Sequence, residues 1–170
     1  MNIGLQFTTK TAEQRYGETS FASRHTAGFD LRAAIDAPMT ILPGEQSLIP
    51  TGIKLDMSRA SYDAEIKTTG IITPRSGRGS KEGLVLANTI GVIDQDYQGE
   101  IFVFAWARPT SGHINANNHR IGGTPVHIEP WERIAQLLFV PVFRPKITVL
   151  ETFEQATERG ADGFGSTGND

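Results

Sequence analysis

The chain has 170 residues, a formal net charge of −3 and no cysteine. Its length suits one domain with a core that needs no covalent staple, and the missing thiols exclude disulfides and thiolate chemistry. A mildly acidic balance excludes a general footprint for nucleic acid or an anionic membrane, although arginines can still gather around a small anion.

The start, "MNIGLQFTTKTAEQR", lacks the apolar run of a signal peptide. The longest apolar stretch, "IAQLLFVPVF", holds Gln136 and Pro141 and is too short to span a bilayer. A soluble, intracellular, cytoplasmic protein is expected. Eighteen glycines and nine prolines punctuate short β-rich runs: "GLQFTT", "FDLRAAI", "QSLIPTGIKL", "YDAEIKTTGII", "EIFVFAWA", "TPVHI", "IAQLLFVPVF" and "ITVLETF". Many short strands with turn signals between them predict an all-β sandwich or barrel. "EIFVFAWA" is apolar without alternation and reads as a strand buried on both faces. No helical stretch of useful length stands out beyond a short turn after Pro74. Residues 109–124, "PTSGHINANNHRIGGT", read as a surface loop or hairpin excursion within the domain.

Candidate chemistry follows the same order along the chain. Asp30 in "AGFDLRAA" reads, taken alone, as an outward-facing strand carboxylate. "PRSG" (74–77) places an arginine and a serine just after a strand, where a guanidinium and backbone donors can cradle an anion; an ordinary turn is the plainer reading. "NTIGVIDQDYQGEI" (88–101) reads strand, turn, strand, with Asp94, Asp96 and Tyr97 near the bend. These are turn formers, or a general base and a ring that packs on a sugar. "ERIAQL" (132–137) inserts Arg133 and Gln136 at the entry to an apolar strand, where a capping or interface pair is the plainer reading and Arg133 is read as structural. "RGADGFGSTG" (159–168) makes a poor helix and a poor strand, yet carries an arginine, a phenylalanine and two hydroxyls. It is a frayed end, or an arm that grips phosphate and closes over a flat ring. His25, His113, His119 and His127 lack metal-like spacing, and no P-loop or nucleophile elbow occurs.

Those five segments, in that order, resemble the five motifs of the trimeric dUTPase family. The resemblance runs from about residue 27 to 168. It implies an all-β, distorted jelly-roll barrel over residues 1–158, a C-terminal arm over 159–170, and a homotrimer with shared active sites. The implied reaction hydrolyses dUTP to dUMP and pyrophosphate with Mg²⁺, removing dUTP and supplying dUMP for thymidylate synthesis. Asp30 would hold a water of the Mg²⁺ shell, and Arg75, Ser76 and Gly77 would grip the phosphates. Asn88 and the backbone of Gly91, Val92 and Ile93 would read uracil in a hairpin, with Phe102 contributing through its backbone. Asp94 would activate the water, Tyr97 would exclude a 2′-hydroxyl, and Gln136 would contact phosphate or metal-bound water. Arg159 would bind the γ-phosphate, Phe164 would stack on uracil, and Gly165, Ser166 and Thr167 would wrap the terminal phosphates. Asp162 departs from a position that is usually glycine or another small or polar residue. Arg78 and Gly79 depart from an apolar–small pair, which predicts a loose helix there. Two other functions share the scaffold: dCTP deamination, which lacks the closing arm motif, and non-catalytic binding through the 109–124 excursion.

Overall fold

A computed structural model describes residues 2–17, 21, 23–60, 66–109, 113–114, 120–153, 155, 157 and 160–161. In chain order the elements are β1 (Gly4–Phe7), α1 (Lys10–Tyr16), β2 (Phe29–Arg32), β3 (Met39–Ile41), β4 (Gln46–Asp56) and β5 (Ile66–Pro74). There follow α2 (Ser76–Lys81), β6 (Leu84–Leu86), β7 (Gly91–Ile93), β8 (Glu100–Ala107), β9 (His113–Ile114), β10 (Arg120–Ile121), β11 (Val126–Ile128) and β12 (Arg133–Phe143). One four-stranded sheet runs β1-β4-β8-β6 and the other β2-β12-β5-β7, with the two-stranded pairs β11-β3 and β10-β9 beside them. Every pairing is antiparallel. This is an all-β fold of two main sheets, as the strand pattern predicts, and it agrees with the jelly roll that the resemblance implies. Among the described residues no helix is long and apolar enough to cross a membrane.

The core is built from the inner faces of both sheets: Leu31, Leu137 and Ile134 from one, Ile49, Ile53, Ile101 and Val103 from the other, closed by Ile41, Val126 and Ile128. β8 corrects one expectation. Its residues alternate, with Ile101, Val103 and Ala105 inside and Phe102 and Phe104 outside, so only one face is buried by this chain. The outward aromatic residues lie in register with Leu48 and Pro50 of β4, giving an apolar outer face.

Residues 147–153, expected as a strand, form none. Ile147, Val149 and Phe153 are each more than four-fifths exposed. The composition suits a strand, but a strand needs an edge to satisfy its backbone, and among the described residues the segment pairs with none. The 109–124 excursion does contain a hairpin, β9–β10; residues 110–112 and 115–119 lie outside the described residues.

α1 is an unexpected element. Thr9 caps it by accepting a hydrogen bond from the Ala12 N–H, and Gly17 ends it at positive φ. Seven residues show too few turns for a periodicity to register, but Ala12 and Tyr16, one turn apart, bury one face. Ala12 packs on Gly52, where a Cβ would come within 3.1 Å of the Ala12 Cβ and φ is +76°. Glycine is needed there, at a register shift in β4 that also accommodates Pro50. The Tyr16 hydroxyl donates to the Thr51 carbonyl at 2.8 Å and accepts from the Arg32 N–H at 3.1 Å. Burial pushes this phenol up to about 12.

Candidate active site

Two groups of candidate side chains lie toward opposite ends of β5. In the first, β2 sets Asp30 opposite Gln136 of β12, and Gln136 opposite Thr73 of β5. Cross-strand partners share a face, so these three side chains form one row. Asp30 is buried rather than outward-facing in solvent. One carboxylate oxygen lies 3.1 Å from Arg75 Nε in an ion pair, and the other accepts from Arg133 Nη1 at 3.2 Å. A carboxylate this far from water needs such partners, and the sequence alone could not supply Arg133, which is 103 residues away. Arg133 thus has the structural contact with Asp30 that suits its reading from the sequence. Gln136 donates to the Pro74 carbonyl at 3.3 Å. Its side chain lies over Gly28, where a Cβ would sit 2.6 Å from Oε1. The glycine of "AGFD" is the sequence signal for that close approach.

Arg75 begins α2. Its Nε is engaged by Asp30, which leaves the terminal guanidinium nitrogens for another anion. Ser76 and Gly77 follow, both exposed, and a Cβ at Gly77 would meet nothing within 4 Å. No packing within the chain demands that glycine, although it costs helix stability. Open backbone beside a held arginine suits a phosphate-like anion.

The second group lies between β6 and β8. Thr89 adopts φ +67° and the Ile90 N–H donates to the Asn88 carbonyl at 2.7 Å, a tight bend that leaves Asn88 exposed. β7 then joins β5, with Gly91 opposite Ile72 and Ile93 opposite Gly70. Gly91 is pressed onto Ile72, to whose Cβ an added Cβ would come within 3.0 Å. β8 joins β4 and β6 instead. The expected hairpin is therefore corrected: β7 and β8 converge at one turn but belong to different sheets. Their splay leaves backbone edges open. Phe104 accepts from the Ala87 N–H at the end of β6, and the backbone of Phe102, two residues back, points to that same side beyond β6. A flat hydrogen-bonding ring can insert between such edges.

The turn itself carries Asp94 and Tyr97. The Tyr97 N–H donates to the Asp94 carbonyl at 3.1 Å and the Tyr97 hydroxyl to the Glu100 carbonyl at 3.0 Å. The phenol ring lies on Gly99, where a Cβ would be 2.4 Å from the hydroxyl oxygen. Glycine at 99 is what lets the ring lie there, presenting its other face outward. Asp94 is exposed and opens onto a cleft of about 610 Å³ that also holds Lys67, Asp96 and Arg144.

The structure does not bring the two groups together within one chain. Asp94 follows Ile93, which is level with Gly70, so it stands near the level of Thr69, six residues before Arg75 on β5. At roughly 3.3 Å per strand residue the separation is about 20 Å. Arg159, Phe164, Gly165, Ser166 and Thr167 lie outside the described residues.

The chain is an all-β barrel that carries an ion-paired Arg75 at a helix start and, at the turn between β7 and β8, an exposed phenol. The dUTPase family model matches residues 19–168. The chain is 42% identical over 149 residues to a deoxyuridine 5′-triphosphate nucleotidohydrolase of Burkholderia multivorans, covering 88% of this chain and 87% of that one. A Burkholderia mallei counterpart is 43% identical over 148 residues, 87% and 86% of the two chains. Among solved structures it is similar to the dUTPase of Staphylococcus bacteriophage 80alpha with dUpNHpp, at TM-score 0.71, 28% identity and 98% coverage of both chains. The fold also matches the dUTPase of S. aureus phage phi11, in which a structural Mg(II) ion is coordinated, at TM-score 0.67 and 20% identity over 91% of this chain and 100% of that one. The chain belongs to the dUTPase family.

Proposed function

We propose that the active sites of this dUTPase are shared between the copies of a homotrimer, one copy supplying Asp94 and Tyr97 and another supplying Arg75, Ser76 and Gln136. The activity is dUTP diphosphatase: dUTP and water give dUMP and pyrophosphate. The observation that carries the shared site is the separation of about 20 Å between Asp94 and Arg75 along β5. A base and a phosphate grip so far apart cannot serve one phosphorus atom. A second copy closes the gap. The apolar outer face around Leu48, Phe102 and Phe104 supports such an assembly, since a contiguous patch of that kind marks an interface. So does the unpaired apolar segment 147–153, which leads from the body, residues 1–158, toward the arm, residues 159–170.

In this reading Asp94 orients the attacking water and takes its proton while the α-phosphorus is attacked in line. A positioned general base of this kind contributes about 10²–10⁴-fold. Arg75 presents its free guanidinium nitrogens to the phosphate chain, and Ser76 and Gly77 add donors where charge grows as the α–β bridge breaks. Uracil enters between β7 and β8, paired by Asn88 and by the backbone of Gly91, Val92, Ile93 and Phe102. The Tyr97 ring under the deoxyribose leaves no space for a 2′-hydroxyl. Arg159 then meets the γ-phosphate, Phe164 covers the base, and Gly165, Ser166 and Thr167 enclose the phosphates, excluding water from the reaction. A cytoplasmic setting accompanies this activity.

Mg²⁺ fits these residues as an ion held chiefly by the triphosphate. Among the described residues no group of three or more His, Cys, Asp or Glu could cage a metal, and Asp30 already meets two arginines. Mg²⁺ keeps most of its waters and binds through phosphates, which suits outer-shell contact. Asp30 and Gln136 would hold shell water, and Thr73 Oγ1, buried in the same row without a hydrogen-bond partner, is a third polar atom for it. When bound, the ion neutralises phosphate charge and polarises the phosphoryl oxygens.

The test is turnover of dUTP, dCTP and UTP by the full chain with product identification. Pyrophosphate and dUMP from dUTP are expected, and Asp94→Asn should lower kcat by at least ~10²-fold with dUTP still bound. Ammonia from dCTP would assign the scaffold to deamination, and near-normal kcat in the variant would remove Asp94 from the mechanism.

A further inference from the structure

We propose that Arg78 is a positioning residue that sets where the phosphate grip of α2 stands, by locking this helix to the turn before β12. The inference rests on the reading of Arg75, Ser76 and Gly77 as that grip. On its own sequence α2 has little reason to hold its place. It is six residues long, contains Gly77 and Gly79, has no side-chain N-cap and buries none of its residues. Each glycine disfavours the helix by roughly 1 kcal/mol relative to alanine. A loose helix is the natural expectation, and the contacts of one side chain oppose it.

The Arg78 side chain is only 12% exposed. Nη1 donates to Glu132 Oε1 at 2.5 Å and lies 3.2 Å from Glu82 Oε2, while Nη2 donates to the His127 carbonyl at 2.8 Å. Glu132 is itself fixed, because its other oxygen accepts the Glu129 N–H at 3.0 Å and its carbonyl accepts the Ala33 N–H at 2.8 Å. The residue after Glu132 is Arg133, which reaches Asp30, and Asp30 holds Arg75. Inside α2 the Gly79 N–H returns to the Arg75 carbonyl at 2.9 Å.

The contacts therefore close a loop: Arg75, Asp30, Arg133, Glu132, Arg78 and back to Arg75 through one turn of helix. Both ends of the grip are tied to the same edge of β12. The other side-chain tie to α2 among the described residues is weaker, Arg108 Nη2 to the Gly79 carbonyl at 3.4 Å. A planar fork can meet a carboxylate and a carbonyl together, which a lysine ammonium on a single flexible stem does less well. Arg78 touches no reacting atom, so its effect passes through Ser76 and Gly77. Misplacing such groups by about 1 Å can cost ~10²-fold in rate.

The experiment uses the full chain with Mg²⁺ and compares Arg78→Leu, Arg78→Lys and Arg75→Ala. Affinity is measured for dUpNHpp, which engages the grip, and for deoxyuridine, which carries no phosphate. Arg78→Leu should weaken dUpNHpp and lower kcat/KM for dUTP by roughly 10–100-fold, with deoxyuridine inhibition unchanged. Arg78→Lys, which keeps the charge beside Glu132, should recover part of the loss. Equal weakening of both ligands would overturn the proposal, as would unchanged dUpNHpp binding in Arg78→Leu while Arg75→Ala loses it. If Arg78→Leu does not fold, wild-type dUpNHpp affinity and kcat/KM in Arg78→Lys overturn it instead. An Arg75→Ala protein that keeps dUpNHpp would overturn the underlying reading of the grip.

Discussion

Two crippled chains should repair each other. Asp94→Asn removes the base and Arg75→Ala removes the phosphate fork, and the two positions stand about 20 Å apart along β5. If each site draws one residue from each of two copies, a one-to-one mixture of the variants unites an intact Asp94 with an intact Arg75 at one site in four. Recovery of ~25% of wild-type activity is then expected after unfolding and refolding the chains together, given random assembly around a closed ring. Each variant alone should retain ~1% or less, from the usual worth of a general base or of a donor to developing charge. Pyrophosphate release from dUTP is the assay, and differently tagged chains with native mass spectrometry establish that mixed assemblies have formed. Mixed assemblies that hydrolyse no faster than either variant alone would refute the reasoning, because both residues would then serve one site within one chain.

Tyr97→Ala should relax discrimination against UTP, and Gly99→Ala should do so partly by displacing the ring, since its new Cβ would press on the Tyr97 hydroxyl; kcat/KM ratios for dUTP and UTP check both. Truncation after Glu158 should leave thermal stability without ligand nearly unchanged while kcat falls more than KM rises, and Phe164→Trp should report closure by a fluorescence change on adding dUpNHpp with Mg²⁺. Tyr16 titrates near 10 when unfolded and about 12 when folded, so the unfolded chain releases its proton first. The stability that Tyr16 lends is complete below pH 10 and is lost between pH 10 and 12, by roughly 2–3 kcal/mol. Tyr16→Phe should flatten that alkaline limb in chemical denaturation, at the cost of its two hydrogen bonds. Replacing residues 109–124 by a short Gly/Ser turn should leave dUTP hydrolysis intact, because the segment lies outside the five motifs.

Much of the barrel was legible because its strands carry local signals. "QSLIPTGIKL", "EIFVFAWA" and "IAQLLFVPVF" are β-rich runs between turn residues, and each became a long strand. What failed depended on partners distant in sequence. Residues 147–153 have strand composition but join no edge among the described residues. β8 is apolar throughout, which hid the fact that this chain covers one face alone. The site divides in the same way. Arg75, Asp94 and Tyr97 stand in short motifs that can be read locally, whereas the pairing of Asp30 with Arg133 spans 103 residues and becomes visible only through the register of β2 on β12. Arg78 stood out in the sequence only as a departure from a pattern, while its contacts with Glu132 and His127 arise from tertiary packing.

The outer face of β8 also sets a kinetic order for the protein's own making. A newly folded chain exposes Phe102, Phe104 and Leu48 together, a surface as ready to join a misfolded neighbour as a correct one. In the proposed trimer, covering it requires collision with other copies, a step whose rate rises with chain concentration. Recovery of activity after dilution from denaturant should accordingly shorten its half-time as protein concentration is raised, until aggregation of uncovered chains overtakes assembly.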